Sequence, residues 1–437
     1  MLVNMLVAMM LFAILAHALF TLISASFSIV AYTRSRVAAR NIAQKRIEEI
    51  RNMPYNEVGT DGGVPSGTLL QNEYVVTNGL RYLVNTSIIY VDDQFDGSAP
   101  IDLLPTDYKR IRIDVSWEGL SASDNNPVTL ITDIAPPGVE TTEGGGTLSI
   151  LVFDANAQPV GQADVLIVAA DADPQVNLTL QTADNGRVIL PGAPECKKEC
   201  YQITVHKDDY SSERTYSSDE VDNPNKPHVS VLEGELTEIS FAIDRVSKLD
   251  ISSFNDRGSG FESLPNIAFQ MRSDKTIGTD NKDNPIYKYE ETLSTDAGGE
   301  LELENLEWGN YYISIDPEDG WDISGSNPLV PLIILPDTEY DFSFSFNSHT
   351  DDSLLIAFTD PSGTPVASVS ASLFDDDILV EEIFSGIEEN PDFGQAFFPS
   401  LDRQFYELTA TASGYIDFEG TMDVYGNSYE EVILNTE

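Results

Sequence analysis

The chain has 437 residues, of which 24 are Lys or Arg and 72 are Asp or Glu, for a formal net charge of −48. A surface of that sign repels the phosphate backbone, which argues against nucleic acid as a partner and favours solubility and attraction of divalent cations. The length leaves room for about three or four domains, each able to bury a core of its own.

Charge is divided unevenly. The first 55 residues carry six basic side chains and two glutamates, which leaves 18 basic and 70 acidic side chains for the rest. Met1 to Tyr32 has no charged side chain. As a helix rising about 1.5 Å per residue, Met1 to Thr33 measures roughly 50 Å, against about 30 Å of apolar bilayer. It spans a membrane with length to spare. Beyond Arg34, Ala39, Ala43, Ile47 and Ile50 recur at helical spacing, with Arg40, Gln44, Glu48 and Arg51 opposite. The pattern predicts one helix over residues 1–54, stopped at Pro54, which cannot donate to a helix interior and pushes Met53 out of helical angles.

Met5-Leu6-Val7-Ala8-Met9-Met10-Leu11 and the later Ala43-Gln44-Lys45-Arg46-Ile47-Glu48-Glu49-Ile50-Arg51 resemble the helix of type IV pilins and pseudopilins. That resemblance covers about the first 55 residues. It implies a basic leader ending in Gly, expected from in-frame codons upstream of Met1. It also implies a helix that packs against neighbouring helices in a filament, with Ala39, Ala43, Ile47 and Ile50 as the assembly face. The family's helix carries a Glu where this chain has Asn4, a departure shared with one class of minor tip pseudopilins. A plain single-pass anchor is the alternative, since any apolar run above about 18 residues serves as one. A cleavable signal fits less well: Ala16-His17-Ala18 has the small-residue look of a cleavage site, yet no basic residue precedes it. Arg34, Arg36, Arg40, Lys45 and Arg46 would place the following side in the cytoplasm by the positive-inside rule alone. Pseudopilins carry such residues too, so the resemblance implies globular parts outside the cytoplasm, at the cell surface or on a filament.

Residues 55–135 read as a small antiparallel sheet. Glu73 to Thr77 meets Asn78-Gly79, a strong hairpin turn, and Leu80 to Val91 returns. Tyr108 to Trp117 alternates, with Ile111, Ile113, Val115 and Trp117 on one face, and Pro127 to Ile134 supplies a fourth strand. Between the second and third strands Asp92, Asp93, Asp96 and Asp102 gather around Gly97. Hard oxygen ligands at a Gly turn suit calcium, and major pseudopilins carry a calcium site in a sheet-side loop. The spacing departs from the EF-hand pattern, and a solvated acidic loop is the other reading. Residues 136–145, bracketed by Pro136-Pro137-Gly138 and Gly144-Gly145-Gly146, read as a linker.

After Gly146 the chain repeats, over residues 146–244, 245–347 and 351–437. A first strand runs into a Pro-containing turn in Leu148 to Val160 and again in Leu354 to Val366. Asp184-Asn185-Gly186, Asp296-Ala297-Gly298 and Asp392-Phe393-Gly394 then mark equivalent turns. Tyr201 precedes Tyr210, Tyr312 precedes Trp321, and Tyr406 precedes Tyr415, each by nine residues. The pattern resembles the carboxypeptidase regulatory-like module, a transthyretin-type β-sandwich that carries no peptidase activity. The second copy departs from it, because Asp256-Arg257-Gly258-Ser259-Gly260 lacks the following Pro-Val. The collagen-adhesin B-type sandwich fits less well, since its first-strand Lys has a counterpart only in Lys248. The recurring aromatics are read as core residues in preference to a glycan-stacking surface.

Cys196 and Cys200 are the two cysteines, and outside the cytoplasm a short disulfide loop is the natural reading, with two free thiols as the alternative. His17, His206, His228 and His349 are scattered, and no nucleophile motif accompanies them. The expected fold is thus mainly β with one long N-terminal helix: a pilin-like helix and sheet, then three tandem immunoglobulin- or transthyretin-like sandwiches. The expected function is that of a non-enzymatic minor pilin or pseudopilin-like subunit of a type IV pilus or type II secretion filament. Its partners would be the membrane, other pilin-like subunits, and a surface glycan or protein ligand. The alternative is a membrane-anchored adhesin that never joins a filament.

Overall fold

The computed structural model describes residues 2–91, 107–118, 127–136 and 145–437, with side chains along the helix described at residues 15–17 and from 19 onward. The four aspartates of the expected calcium loop and most of the expected linker lie outside the described residues. The chain is mainly β with one long helix. It forms two compact units, residues 1–152, 159–205 and 228–241 in the first, and residues 153–158, 206–227 and 242–437 in the second.

In the first unit, helix α1 runs from Leu2 to Arg51 without a Gly or Pro. It ends as the sequence requires, with a 3₁₀ turn at Tyr55–Glu57 directly after Pro54. The hydroxyls of Ser26, Thr33 and Ser35 donate to carbonyls four residues back, and that of Ser28 to one three back. These four hydroxyls are therefore satisfied within the helix, as a lipid or protein surrounding demands.

Strands β1 (Asn72–Thr77), β2 (Leu80–Val91), β3 (Tyr108–Trp117) and β4 (Val128–Ile134) follow in an antiparallel meander, paired in chain order. Asn78 and Gly79 close the first hairpin at φ of 52° and 78°. Both central residues of a type I′ turn need positive φ, which is why Asn-Gly is favoured there. Along β2 and β3 alternate residues are buried, and Tyr82, Val84, Ile88, Ile111, Ile113, Val115 and Trp117 form a core with α1.

The same unit holds most of the first sandwich. Strand β5 (Gly146–Phe153) lies between β8 (Arg187–Ala193) and Leu236–Ala242 in one sheet. The facing sheet sets β6 (Asp164–Ala169) between β7 (Val176–Gln181) and β9 (Cys196–His206). The Gly-rich passage after the helix docks on the outer edge of β7. Asn177 N–H donates to the Gly62 carbonyl at 2.6 Å, and the Asn177 carbonyl accepts from Gln71 Nε2 at 2.7 Å.

The second unit holds two sandwiches built on the same path. In one, Ser247–Asn255 pairs antiparallel with Glu300–Leu306 and parallel with Glu339–Ser348; in the other, Ser353–Thr359 pairs antiparallel with Gln395–Phe398 and parallel with Asn427–Ile433. The facing sheets repeat as well. Ala268–Ser273 pairs with Glu290–Ser294 and Gly309–Ser314, as Ser370–Asp375 pairs with Ile378–Phe384 and Phe405–Thr411. Each core fills from both sheets, with Phe269, Phe342, Phe344 and Phe346 in one and Phe358, Phe398, Tyr406 and Leu408 in the other.

Two details of the sequence repeat need correction. In the turns, the first-strand amides of Val152, Ser253 and Phe358 each donate to a glycine carbonyl at 2.8 Å, and those glycines are Gly186, Gly299 and Gly394. The middle equivalent is Gly299, at φ 80°, one residue after the Gly298 of the sequence motif. At Gly186 a Cβ would meet the Val152 carbonyl at 2.4 Å, so neither the φ nor the space admits a side chain. Likewise Tyr201, Tyr311 and Tyr406 are the buried tyrosines, each donating its hydroxyl to a carbonyl upstream: Pro194, Glu307 and Asp402. Tyr312 faces outward and is 38% exposed. The nine-residue offset selected the wrong member of a Tyr-Tyr pair, because strand parity and not spacing decides which ring reaches the core. Trp321 and Tyr415 pack against their cores, as expected of recurring aromatics.

The second copy replaces the Pro turn. Asp256 caps a 3₁₀ turn at Arg257–Ser259, and Asn255 and Leu264 close the wider loop through Glu262 and Ser253. In the other two copies Asp154 and Asp360 accept two amides each within a tight loop: Asn156 and Gln158, Ser362 and Thr364. Lys248 pairs with Asp250 and Glu302.

Candidate functional site

Helix α1 divides into two halves with different surroundings. In the lower half Ala39, Ala43 and Ile50 are wholly buried and Ile47 nearly so, all against the chain's own sheet. This overturns the expectation that these four form the assembly face. A stripe of small and branched residues at helical spacing fits a sheet as well as a neighbouring helix, and the sheet of the same chain already covers it. Arg46 pairs with Glu73 on β1, and Arg51 donates to Thr132 Oγ1 on β4 at 2.6 Å.

Below the helix, Lys109 is the lock. It is 1% exposed, its ammonium donates to the carbonyls of Tyr55 and Val58 at 2.9 Å each, and it lies over the rings of Tyr55 and Tyr90. A buried ammonium is costly unless its donors are used, and here they fix the turn after the helix to β3.

From Leu15 to Val30 the described helix is apolar and exposed all round. Leu15, Leu19, Phe20, Leu22, Ile23, Phe27, Ile29 and Val30 are between about half and three-quarters exposed. No ordinary aqueous surface carries such a run on every side. Arg34, Arg36 and Arg40 follow it at the level where the sheet begins to cover the helix, and Val37 stands free among them, 54% exposed. A groove beside the helix is lined by Val30, Val37, Asn41, Lys45, Leu80 and Tyr82.

A second constellation lies in the second unit. Lys288 Nζ sits 2.7 Å from Glu307 and 3.3 Å from Glu213; Lys275 reaches Glu307 at 2.9 Å and Lys226 reaches Glu213 at 3.6 Å. Lys275 also lies over the Trp308 ring. Burial would depress the Lys288 ammonium, but Glu307 and Glu213 outweigh it and hold its pKa above the usual lysine value. Burial pushes Lys275 down despite Glu307. The network ties the 213–226 segment to the hairpin of Thr276–Thr279 and Pro285–Tyr287, where Asn223–Pro224 adds a third strand. Its lysines are engaged by carboxylates, so its chemistry is that of a fastener.

The two sandwiches of this unit are joined by polar contacts. Asp322, 1% exposed, accepts from Thr350 N–H and Asn427 Nδ2 and contacts His349 Nδ1 at 2.6 Å. The hydrogen bond to Asp322 raises the His349 pKa. Arg257 pairs with Asp392 at 2.5 Å and donates to the Phe384 carbonyl. Gln395 holds both backbone groups of Ser326. Sequence reasoning missed all of these, since the partners stand 69 to 135 residues apart, or 27 and 28 apart for His349 and Thr350 with Asp322, with no local motif.

Cys196 and Cys200 open β9 with their Cα atoms 6.4 Å apart, within the span of a disulfide. Among the described residues no group of three His, Cys, Asp or Glu is placed to hold a metal ion.

No family model matches the chain, and no curated protein does. Solved structures similar to it include the Bacillus anthracis TIE protein, at 12% identity over 84% of this chain and 73% of that one, with a TM-score of 0.19. A Streptococcal ancillary pilin is 12% identical over 67% of this chain and 99% of its own, with a TM-score of 0.18. The shaft pilin SpaA from Lactobacillus rhamnosus GG is 12% identical over 44% and 98%, with a TM-score of 0.18. With TM-scores below 0.2 these superpositions are loose, and the functional reading rests on the residues of this chain.

Proposed function

We propose that the chain is a non-enzymatic, membrane-anchored minor subunit of a type IV pilus or type II secretion filament, of the pilin or pseudopilin kind. The single observation that carries this reading is the division of α1, whose lower half is covered by the chain's own four-stranded sheet while its upper half is apolar on every side. The upper half sits in the bilayer before assembly and among neighbouring helices after it. The assembly surface then moves from Ala39, Ala43, Ile47 and Ile50 to the exposed upper helix and to Val37 beside it. Residues 1–54 and 55–135 are the pilin-like part, 136–145 the linker, and 146–244, 245–347 and 351–437 three modules outside the cytoplasm that present an acidic surface in a structural or adhesive role. In that compartment Cys196 and Cys200 form a bridge. Calcium binds the loop of Asp92, Asp93, Asp96 and Asp102, and a glycan or protein is the ligand of the modules.

A membrane-anchored adhesin that never joins a filament shares every one of these parts except the assembly surface. Val37→Asp separates the two, because Val37 lies beyond the uncharged span and outside the chain's own core. The filament reading expects unchanged membrane levels and unfolding, with loss of the protein from sheared surface filaments. Equal recovery of V37D and the unaltered chain in that fraction, or absence of both, would replace this reading with the adhesin.

A further inference from the structure

The outer sheet of each sandwich ends on the same edge strand: β7, Glu290–Ser294 and Ile378–Phe384, each paired antiparallel with the second strand of its module. An edge presents unpaired N–H and C=O groups to any extended chain, and proteins cover or charge it. In the first sandwich the chain covers it itself, through the Gly62 carbonyl and the Gln71 side-chain amide on Asn177. In the second the edge is polar, with Glu290, Glu291 and Thr292 exposed and Leu293 the one apolar side chain. Among the described residues no strand covers the third edge, where Arg257 donates to the Phe384 carbonyl at one end, and its exposed side chains are largely apolar. Ile378, Leu379 and Val380 are exposed in succession, and Phe384 follows on the same strand, 54% exposed.

The charges on this edge select what it accepts. Asp375, Asp376 and Asp377 form its turn. Glu381 pairs in register with Leu373, as Ile383 does with Ala371, so it points to the core side of the sheet. It is half-buried, burial raises its pKa, and among the described residues no cation is paired with it. A second copy laid antiparallel along this strand would bring like carboxylates together, which is unfavourable. A strand bearing Lys or Arg would meet an unpaired carboxylate and continue the sheet.

We propose that the outer edge of Ile378–Phe384 is a strand-addition site that takes an extended segment of a partner protein in which apolar residues alternate with Lys or Arg. Main-chain hydrogen bonds supply the affinity, the Ile378–Val380 surface packs the apolar positions, and Glu381 with Asp375 to Asp377 selects the basic ones.

The test uses the full chain in detergent micelles and two blocked peptide probes, Val-Lys-Val-Lys-Val-Lys-Val and Val-Glu-Val-Glu-Val-Glu-Val. The Lys peptide should bind saturably and slow amide exchange at residues 378–384, and the Glu peptide should not. Glu381→Lys should weaken the Lys peptide at least tenfold and admit the Glu peptide. One substitution hardly alters a net charge of −48, so diffuse attraction cannot imitate that result. Leu379→Asp, at a position 51% exposed, should weaken the Lys peptide similarly with unchanged melting, and serves if E381K does not fold. Equal affinity for the Lys peptide in a folded variant, protection elsewhere on the chain, or self-association through this edge would each overturn the proposal.

Discussion

The two halves of α1 are continuous in backbone and both carry apolar surface, yet they satisfy it in opposite ways. In the lower half one stripe is buried by β2, β3 and β4, and apart from Val37 the exposed remainder is largely polar. From Leu15 to Val30 the apolar surface goes all round, and nothing among the described residues covers it. The difference teaches that hydrophobic periodicity reports how much of a helix is covered, while the identity of the cover must come from elsewhere in the fold. The sheet is that cover below, and on the proposed reading a membrane or other subunits supply it above.

The sharpest way to break this comparison is one charge in each half. Ile50→Asp places a carboxylate in the helix–sheet core and should cost about 4 kcal/mol or more in chemical unfolding of the first unit. Leu22→Asp should leave that unfolding transition in place and reduce membrane insertion. Equal effects of both on unfolding would mean that the halves do not differ as described.

A smaller effect sharpens the lower half. Lys109→Met keeps the bulk but strips two carbonyls of their donor, and should destabilise the turn after the helix by about 2 kcal/mol, read by denaturation or by amide exchange at Tyr55 to Val58. The same contrast between a covered and an uncovered side chain recurs on one strand of the second unit. Tyr311→Phe should cost about 1 kcal/mol for its lost bond to Glu307, while Tyr312→Phe should cost almost nothing. Reversal of that order would restore the sequence-based alignment of the repeats.

The smallest effect is a matter of pH. His349 has its pKa raised by Asp322, so its contribution to the joint between the second and third sandwiches is fully present below about pH 6.5. It should be lost as pH rises through the raised value in the folded state. The protection factor at Thr350, corrected for intrinsic base-catalysed exchange, should fall over that window in the unaltered chain and stay constant in His349→Gln.

Much of the architecture was legible because it is written locally. The helix shows in an uninterrupted run without Gly or Pro, its end in Pro54, the first hairpin in Asn78-Gly79, and β3 in strict alternation. The repeat was legible as a pattern of turns and tyrosines, but its register slipped at Gly298 and Tyr312, where two adjacent residues of one kind give spacing no means of choosing. The cover of Ala39, Ala43, Ile47 and Ile50 was misread for the same physical reason, since a stripe fits any apolar partner. The Glu213–Lys288–Glu307 network and the Asp322 joint left no signal, because ion pairs between remote residues look like solvated charges in a chain so rich in them.

The central claim is that the upper helix meets lipid before assembly and other subunits after it. The most direct measurement places a photo-crosslinking amino acid at Val30, in the exposed apolar half, and compares membranes with sheared surface filaments from the same cells. The account predicts lipid adducts in the membrane fraction and, in the filament fraction, adducts to other helix-bearing subunits. Lipid adducts alone, with none of the chain recovered in filaments, would contradict it.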